Sequence, residues 1–298
     1  MTLDLLEEIL NRFASVFNNI SISSEGEPTV HKKFPEILKR CNQTNAQLSM
    51  VTNGVIPNKY IELIVKNLDS LMISLDGIDA TTYHYKRGGN APTFQKVLKT
   101  INRVNELKNV SNDIRLKDLS INFVIEKQSL HLIKPIIRFC ADLGVHASLN
   151  NFIPIGDSTE WMPLMADASD VIEEYREITS INDWGTDIDL PRLVNGDKNN
   201  FCHFLFGRLP CNYKGDLSPC CYIPADPKYG NILDSDRPWD SMPLKEFRQS
   251  FTNAKSIEDL PVECRNCHAR TSRRIYYNNA TQKWSGLDAL DRYAKSKT

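Results

Sequence analysis

Leu5, Leu6, Ile9, Leu10, Phe13 and Phe17 recur at the spacing of one helix face, and the next segment, NISISS (19–24), switches to the composition of a strand. The same pair of patterns then repeats. FPEILKRC predicts a helix and QLSMVT (47–52) a strand; KYIELIVKN predicts a helix and SLMISLD (70–76) a strand. TFQKVLKTINRVNELK is an amphipathic helix followed by the strand LSINFVIE (119–126). LHLIKPIIRFCADLG predicts a helix bent by Pro135, and HASLNNF (146–152) a fifth strand. Strands alternating with helices predict an α/β fold with a parallel sheet and helical crossovers, open or closing towards a barrel. In such sheets ligands gather where the strands end.

The strand ends are polar: EGEP (25–28), TNG (52–54), SLDG (74–77) and, shortly after, KRGG (86–89). Each alone reads as an ordinary turn, because Gly and Asn are what turns require. In series they line one rim of the sheet with a carboxylate, amides, hydroxyls and a guanidinium, a set suited to a zwitterionic ligand bearing an amine and a carboxylate. After about residue 155 the rhythm stops. A helix around ASDVIEEYREI leads into INDWGTDIDLPRLVNGDKNN, which reads as a linker or cap; Trp161 and Trp184 in this region read as packing. From Cys202 the chain is short-stranded and cysteine-rich, with LKEFRQSF as its clear helix before a basic tail helix.

Composition adds exclusions. With 298 residues and 41% hydrophobic, the chain is long enough for a large core with a smaller appendage. Its 36 basic and 37 acidic side chains nearly cancel, so no field draws it to nucleic acid or an anionic membrane. The start, MTLDLLEEILNRF, is acidic and amphipathic rather than a secretory leader, and no apolar run approaches membrane-spanning length. A cytoplasmic protein is the expectation, and in that compartment eight cysteines are weighed first as metal ligands rather than as disulfides.

Cys41 and Cys140 sit within helical patterns and read as small buried hydrophobes. The other six form two groups, Cys202/Cys211/Cys220/Cys221 and Cys264/Cys267, the second a C-x-x-C. A c-type haem on CRNCH (264–268) would leave the upstream thiols unused, and His268 reads more simply as a surface residue. A structural zinc held by two thiolates from each group is a serious alternative, although the upstream spacing is wrong for a zinc knuckle. An iron–sulfur cluster, being larger than one ion, accepts ligands from separated loops.

Cys202 is followed by twelve residues, Gly215, four more and Cys220, with Cys264 and Cys267 downstream. This C-x12-G-x4-C pattern with a later C-x-x-C resembles the auxiliary-cluster domain of radical SAM enzymes, of the SPASM or shorter twitch type. EGEP resembles the family's Gly-Gly-Glu-Pro motif, and TNG, SLDG and KRGG resemble its strand-end segments. The resemblance spans roughly residues 3 to 270. It implies a partial (β/α) barrel over 1–155, a linker or cap over 156–200, a SPASM/twitch iron–sulfur domain over 201–275 and a tail over 276–298. It implies that Glu27 receives the methionyl amine of S-adenosylmethionine, that Ser74 and Asp76 lie near its ribose or carboxylate, and that Arg87 pairs the carboxylate. It implies an auxiliary 4Fe–4S cluster on Cys202, Cys220, Cys264 and Cys267, with Cys221 the alternative to Cys220.

Two departures qualify the resemblance. A full SPASM domain carries further cysteines beyond the C-x-x-C, whereas HARTSRRIYYNN has none, which favours one auxiliary cluster and the twitch form. The family's radical-forming cluster is held by C-x3-C-x2-C upstream of the Glu-Pro motif, and the only cysteine here before residue 140 is Cys41. Five predicted strands against the family's six lead to the expectation that the first barrel strand is missing. Either the natural protein is longer and holds a second 4Fe–4S cluster, or this is a shortened relative without radical chemistry. The first alternative implies a 5′-deoxyadenosyl radical that takes hydrogen from a peptide or protein substrate, or from a small molecule as in a radical SAM dehydrogenase. The second implies a non-catalytic iron–sulfur or zinc protein that passes electrons to a donor or acceptor protein, or binds a partner.

Overall fold

The computed structural model describes residues 1–23, 26–110, 113–153, 162–194, 202–265, 267–270 and 274–290. One sheet runs in sequence order through β1 (Asn19–Ile22), β2 (Gln47–Thr52), β3 (Ser70–Ser74), β4 (Asp118–Ile125), β5 (His146–Asn151), β6 (Ile188–Asp189), β7 (Tyr276–Asn278) and β8 (Lys283–Ser285). The first six are parallel, and β7 and β8 join antiparallel. Because the strand order never reverses, right-handed crossovers put the connecting helices on one face of the sheet, as in an open, partial barrel.

Those helices are α1 (Leu3–Phe13), α2 (Phe34–Asn42), α3 (Asn58–Asn67), α4 (Ala80–Arg87), α5 (Ala91–Val110), α6 (Ile133–Asp142) and α7 (Ser169–Ser180). The first begins at Thr2, whose hydroxyl accepts the Leu5 N–H at 3.2 Å, and its apolar stripe buries Leu6, Ile9 and Phe13. Alternation along the strands decides which face is dry. Leu48, Met50, Leu71, Ile73, Ile121, Phe123 and Leu149 are buried in the main core, while Ser74, Ser120, Asn122, His146, Ser148 and Asn150 occupy the opposite face. The helix-free face of the barrel is therefore polar.

The structure departs from the sequence expectations in four places. The segment expected as one helix bent at Pro135 is a 3-10 turn, Lys127–Leu132, followed by α6. Pro135 lies in the first turn of α6, where its missing N–H has no intrahelical acceptor to lose. Six parallel strands, not five, are present among the described residues. The sixth, β6, lies in the stretch expected to be linker and is too short to show any periodicity. Residues 276–285, expected as tail, form the β7–β8 hairpin on β6, with Tyr277 fully buried and its hydroxyl donating to the Asn182 carbonyl at 2.6 Å. Finally, His268, expected at the surface, is only 3% exposed, because a 3-10 turn after Cys267 points it at Tyr222. Trp184 packs in the core as expected; Trp161 and the last eight residues of the basic tail lie outside the described residues.

The cysteine-rich part carries α8 (His203–Gly207), α9 (Met242–Asn253) and α10 (Val262–Arg265). Leu217, Ile223, Tyr229, Ile232 and Leu244 pack on Ile9 and Phe13 of α1, and Arg12 donates to the Leu233 carbonyl at 2.8 Å. The cysteine-rich part is thus fixed to the first helix of the chain. Among the described residues no helix is long and apolar enough to cross a membrane.

Candidate functional site

Glu27 leaves β1 as the N-cap of a 3-10 turn, Pro28–Val30. Its Oε1 accepts the Thr29 N–H at 3.1 Å, the Thr29 hydroxyl at 2.7 Å and the Thr52 hydroxyl at 2.8 Å. Its Oε2 accepts only the Asn53 N–H, at 2.7 Å, among the bonds to described residues, and so retains capacity for a further donor. The carboxylate is thereby clamped over the end of β2. Gly54 closes this turn at φ +81°, with neighbours so close that a Cβ would stand 2.7 Å from Ile73.

Beside it, β3 ends at Ser74 on the polar face, and Asp76 follows in the left-handed region, φ 56°, uncommon for a residue with a side chain. Asp76 Oδ1 accepts the Val124 N–H at 2.7 Å and Oδ2 pairs with Arg87 Nη1 at 2.7 Å. The structure therefore brings Ser74, Asp76 and Arg87 to one strand end, next to the end that holds Glu27. It also shows Arg87 engaged with Asp76 rather than standing alone for a ligand carboxylate. Sequence reading missed the neighbouring pair of Lys86 with the buried Glu126, although a carboxylate closing the apolar run LSINFVI was a visible signal.

Further inside the barrel, Ser120 Oγ and Ser148 Oγ are buried with no hydrogen-bond partner. Buried hydroxyls without partners are costly, and a bound polar molecule is one way they are satisfied. The polar face, these two hydroxyls and the spare capacity of Glu27 fit a ligand such as S-adenosylmethionine at this rim.

Cys202, Cys220, Cys264 and Cys267, up to 65 positions apart in sequence, line one largely enclosed cavity with Tyr222 and apolar side chains that include Phe204 and Phe251. Cys221 is exposed and does not line it. Cys211 instead forms a β-bridge with Leu217 and packs with the apolar side chains next to α1. Cys41 and Cys140 are buried in the main core, as expected. Burial outweighs a backbone hydrogen bond at Tyr222 and, helped by the nearby Cys221, Cys267 and Cys202, pushes the Cys220 thiol up to about 12; burial, then Cys220, Cys267 and Cys202, likewise raise Cys264. Thiols crowded this way stay protonated in the absence of a cation, and a metal reverses that preference. Gly215, the glycine of the spacing pattern, has φ +87°, and a Cβ there would meet Asn231 Oδ1 at 2.8 Å. Among the described residues no three His, Cys, Asp or Glu side chains are grouped closely enough to hold one ion. Four thiols drawn from separated loops to one cavity are a donor set that an iron–sulfur cluster accepts.

Comparison with known proteins agrees with this architecture. Residues 1–116 match the Radical SAM superfamily. A probable GTP 3′,8-cyclase of Methanococcus aeolicus is 27% identical over 221 residues, covering 68% of this chain and 69% of that protein. Another, of Methanosarcina mazei, is 27% identical over 223 residues, covering 71% and 63%. Streptococcus suis SuiB superposes with a TM-score of 0.64 at 17% identity over 90% of this chain, which spans only 66% of the SuiB chain. The anSMEcpe structure with bound AdoMet superposes with a TM-score of 0.63 at 14% identity over 100% of this chain and 88% of its own. Residues 1–116 are thus similar to the Radical SAM superfamily, and the chain shares its fold with SuiB and anSMEcpe.

Proposed function

We propose that this chain belongs to a radical SAM enzyme of the SPASM/twitch type, which takes hydrogen from a peptide or protein substrate. The observation that carries the reading is the convergence of Cys202, Cys220, Cys264 and Cys267 on one cavity, in a chain whose barrel rim holds Glu27. Together, S-adenosylmethionine and reduced iron–sulfur clusters supply one-electron chemistry that no side chain provides. The protein's own residues bind and orient. Glu27 receives the amine of S-adenosylmethionine on Oε2. Ser74 and Asp76 face its ribose or carboxylate, and Arg87, held by Asp76, adds positive charge at the carboxylate. The four cysteines hold an auxiliary 4Fe–4S cluster, and the apolar wall around them excludes water. A C-x3-C-x2-C for the radical-forming cluster is not among the 298 residues, so turnover is a property of whatever protein supplies that triad.

A small-molecule substrate is the second reading, favoured by the similarity to probable GTP 3′,8-cyclases. A peptide is favoured by the fold shared with SuiB and anSMEcpe, whose structures include complexes with the precursor peptide SuiA and with the peptide Cp18Cys. The first test is iron and acid-labile sulfide in protein purified without oxygen. About four irons and four sulfides, lost in Cys264→Ser and Cys267→Ser, support the cluster; one zinc and no sulfide would sink it. Binding of S-adenosylmethionine, weakened at least tenfold by Glu27→Gln, tests the rim; equal binding by the variant overturns that assignment.

A further inference from the structure

Lys86 and Arg87 close α4, and each pairs with a carboxylate just beyond the end of a different strand. Arg87 Nη1 meets Asp76 Oδ2 at 2.7 Å, two positions past β3, and the Lys86 ammonium meets Glu126 Oε1, one position past β4. Asp76 Oδ1 also accepts the Val124 N–H at 2.7 Å, which ties it to the strand that leads into Glu126. The contacts therefore form a closed ring: from Asp76 to β4, along β4 to Glu126, across to Lys86, one residue on to Arg87, and back to Asp76. Successive side chains on a helix diverge by about 100°. The two ion pairs thus pull in different directions, and together they fix the rotation of the last turn of α4 as well as its place over the strand ends.

The Lys86–Glu126 pair is the more buried of the two, with side chains 14% and 3% exposed. Burying an ion pair costs desolvation that its attraction repays only in part, and apolar side chains of similar volume often hold as well or better. Nor is the pair what keeps α4 on the barrel: buried Tyr83 seats the helix in the main core, its ring 5.5 Å from Phe94. Its reason is therefore sought in direction rather than in stability. Arg87 is the next residue, and in bonds to described residues its guanidinium uses only Nη1. The rest of that fork remains for an anionic group, and where it points depends on how α4 is turned.

We propose that Lys86 and Glu126 are positioning residues: their buried pair sets the rotation of α4 and so aims the Arg87 fork at the carboxylate of S-adenosylmethionine. This rests on the rim reading given under the proposed function, and the experiment separates the two. Protein purified without oxygen is titrated calorimetrically with S-adenosylmethionine as wild type, Arg87→Ala, Lys86→Arg, Lys86→Met/Glu126→Leu and the triple variant that adds Arg87→Ala to the last. Arg87→Ala weakens binding about tenfold. Lys86→Met/Glu126→Leu weakens it by a similar factor, yet melts within about two degrees of the wild type or above it. Adding Arg87→Ala to that variant costs nothing further, because both changes remove the same interaction. Lys86→Arg, which keeps the pair, binds within about threefold of the wild type. The positioning role is overturned if Lys86→Met/Glu126→Leu binds like the wild type while Arg87→Ala is weakened. It is equally overturned if the two losses add in full, as a direct contact between Lys86 and the ligand would make them, or if Lys86→Met/Glu126→Leu melts several degrees lower, as a pair kept for stability would require. A wild type that binds no S-adenosylmethionine, or an Arg87→Ala that binds as tightly as the wild type, overturns the rim reading itself and this role with it.

Discussion

At the scale of single residues, His146 carries a measurable consequence. Burial alone would lower its pKa, but hydrogen bonds and charges from Asp118 and Asp189 outweigh burial and hold it up at about 9. A group whose folded pKa is raised lends stability that is fully present below its unfolded value, near 6.5, and lost as pH rises through the folded value. Stability is therefore expected to fall between about pH 6.5 and 9, by at most about 3 kcal/mol from this group. His146→Gln should flatten that part of a denaturant-midpoint profile; an unchanged slope would remove His146 as its cause. His146 was not legible as a special residue, because its two carboxylate partners come from other strands. Glu27 was legible, since its motif is contiguous and its clamps, Thr29 and Asn53, lie on the turns where Gly and Asn predicted them.

At the scale of elements, two short pieces matter more than their length suggests. Gly215 holds a left-handed turn against Asn231, so Gly215→Ala meets both backbone strain and a close contact. A loss of about 1–2 kcal/mol is expected, along with a lower iron content although no cysteine is touched. The pair of measurements, melting temperature and iron per chain, checks this. The β7–β8 hairpin covers the exposed edge that β6 would otherwise present. Tyr277→Ala, which empties a fully buried ring position and deletes the bond to Asn182, should cost about 3–5 kcal/mol. Tyr277→Phe should cost about 1 kcal/mol. If the alanine variant melts like the wild type, the hairpin does not secure the sheet. Neither β6 nor the hairpin showed in the hydrophobic pattern, because strands of two or three residues complete hardly one period of alternation.

At the scale of the whole molecule, the cysteine-rich part is joined to the barrel through α1, where Ile9 and Phe13 meet Leu217, Ile223 and Leu244. Phe13→Ala should therefore lower stability by about 3–5 kcal/mol and, if the proposed cluster is bound there, reduce its retention, read by the iron content of the purified variant. Retention equal to the wild type would mean that the cysteine cavity holds together without α1. What the sequence by itself determined is what repeats over many neighbouring residues: the helix faces, five of the six parallel strands and the polar strand ends. Periodicity of 3.6 or 2 is a local property and survives being read in one dimension. The cysteine spacing likewise picked out the four thiols that share one cavity, apart from the choice between Cys220 and Cys221. That choice, the burial of His268, the sixth strand and the meeting of Arg274 and His146 on Asp189 were decided only by tertiary structure. Each depends on which way one side chain points, or on contacts between residues far apart in the chain, and neither leaves a period behind.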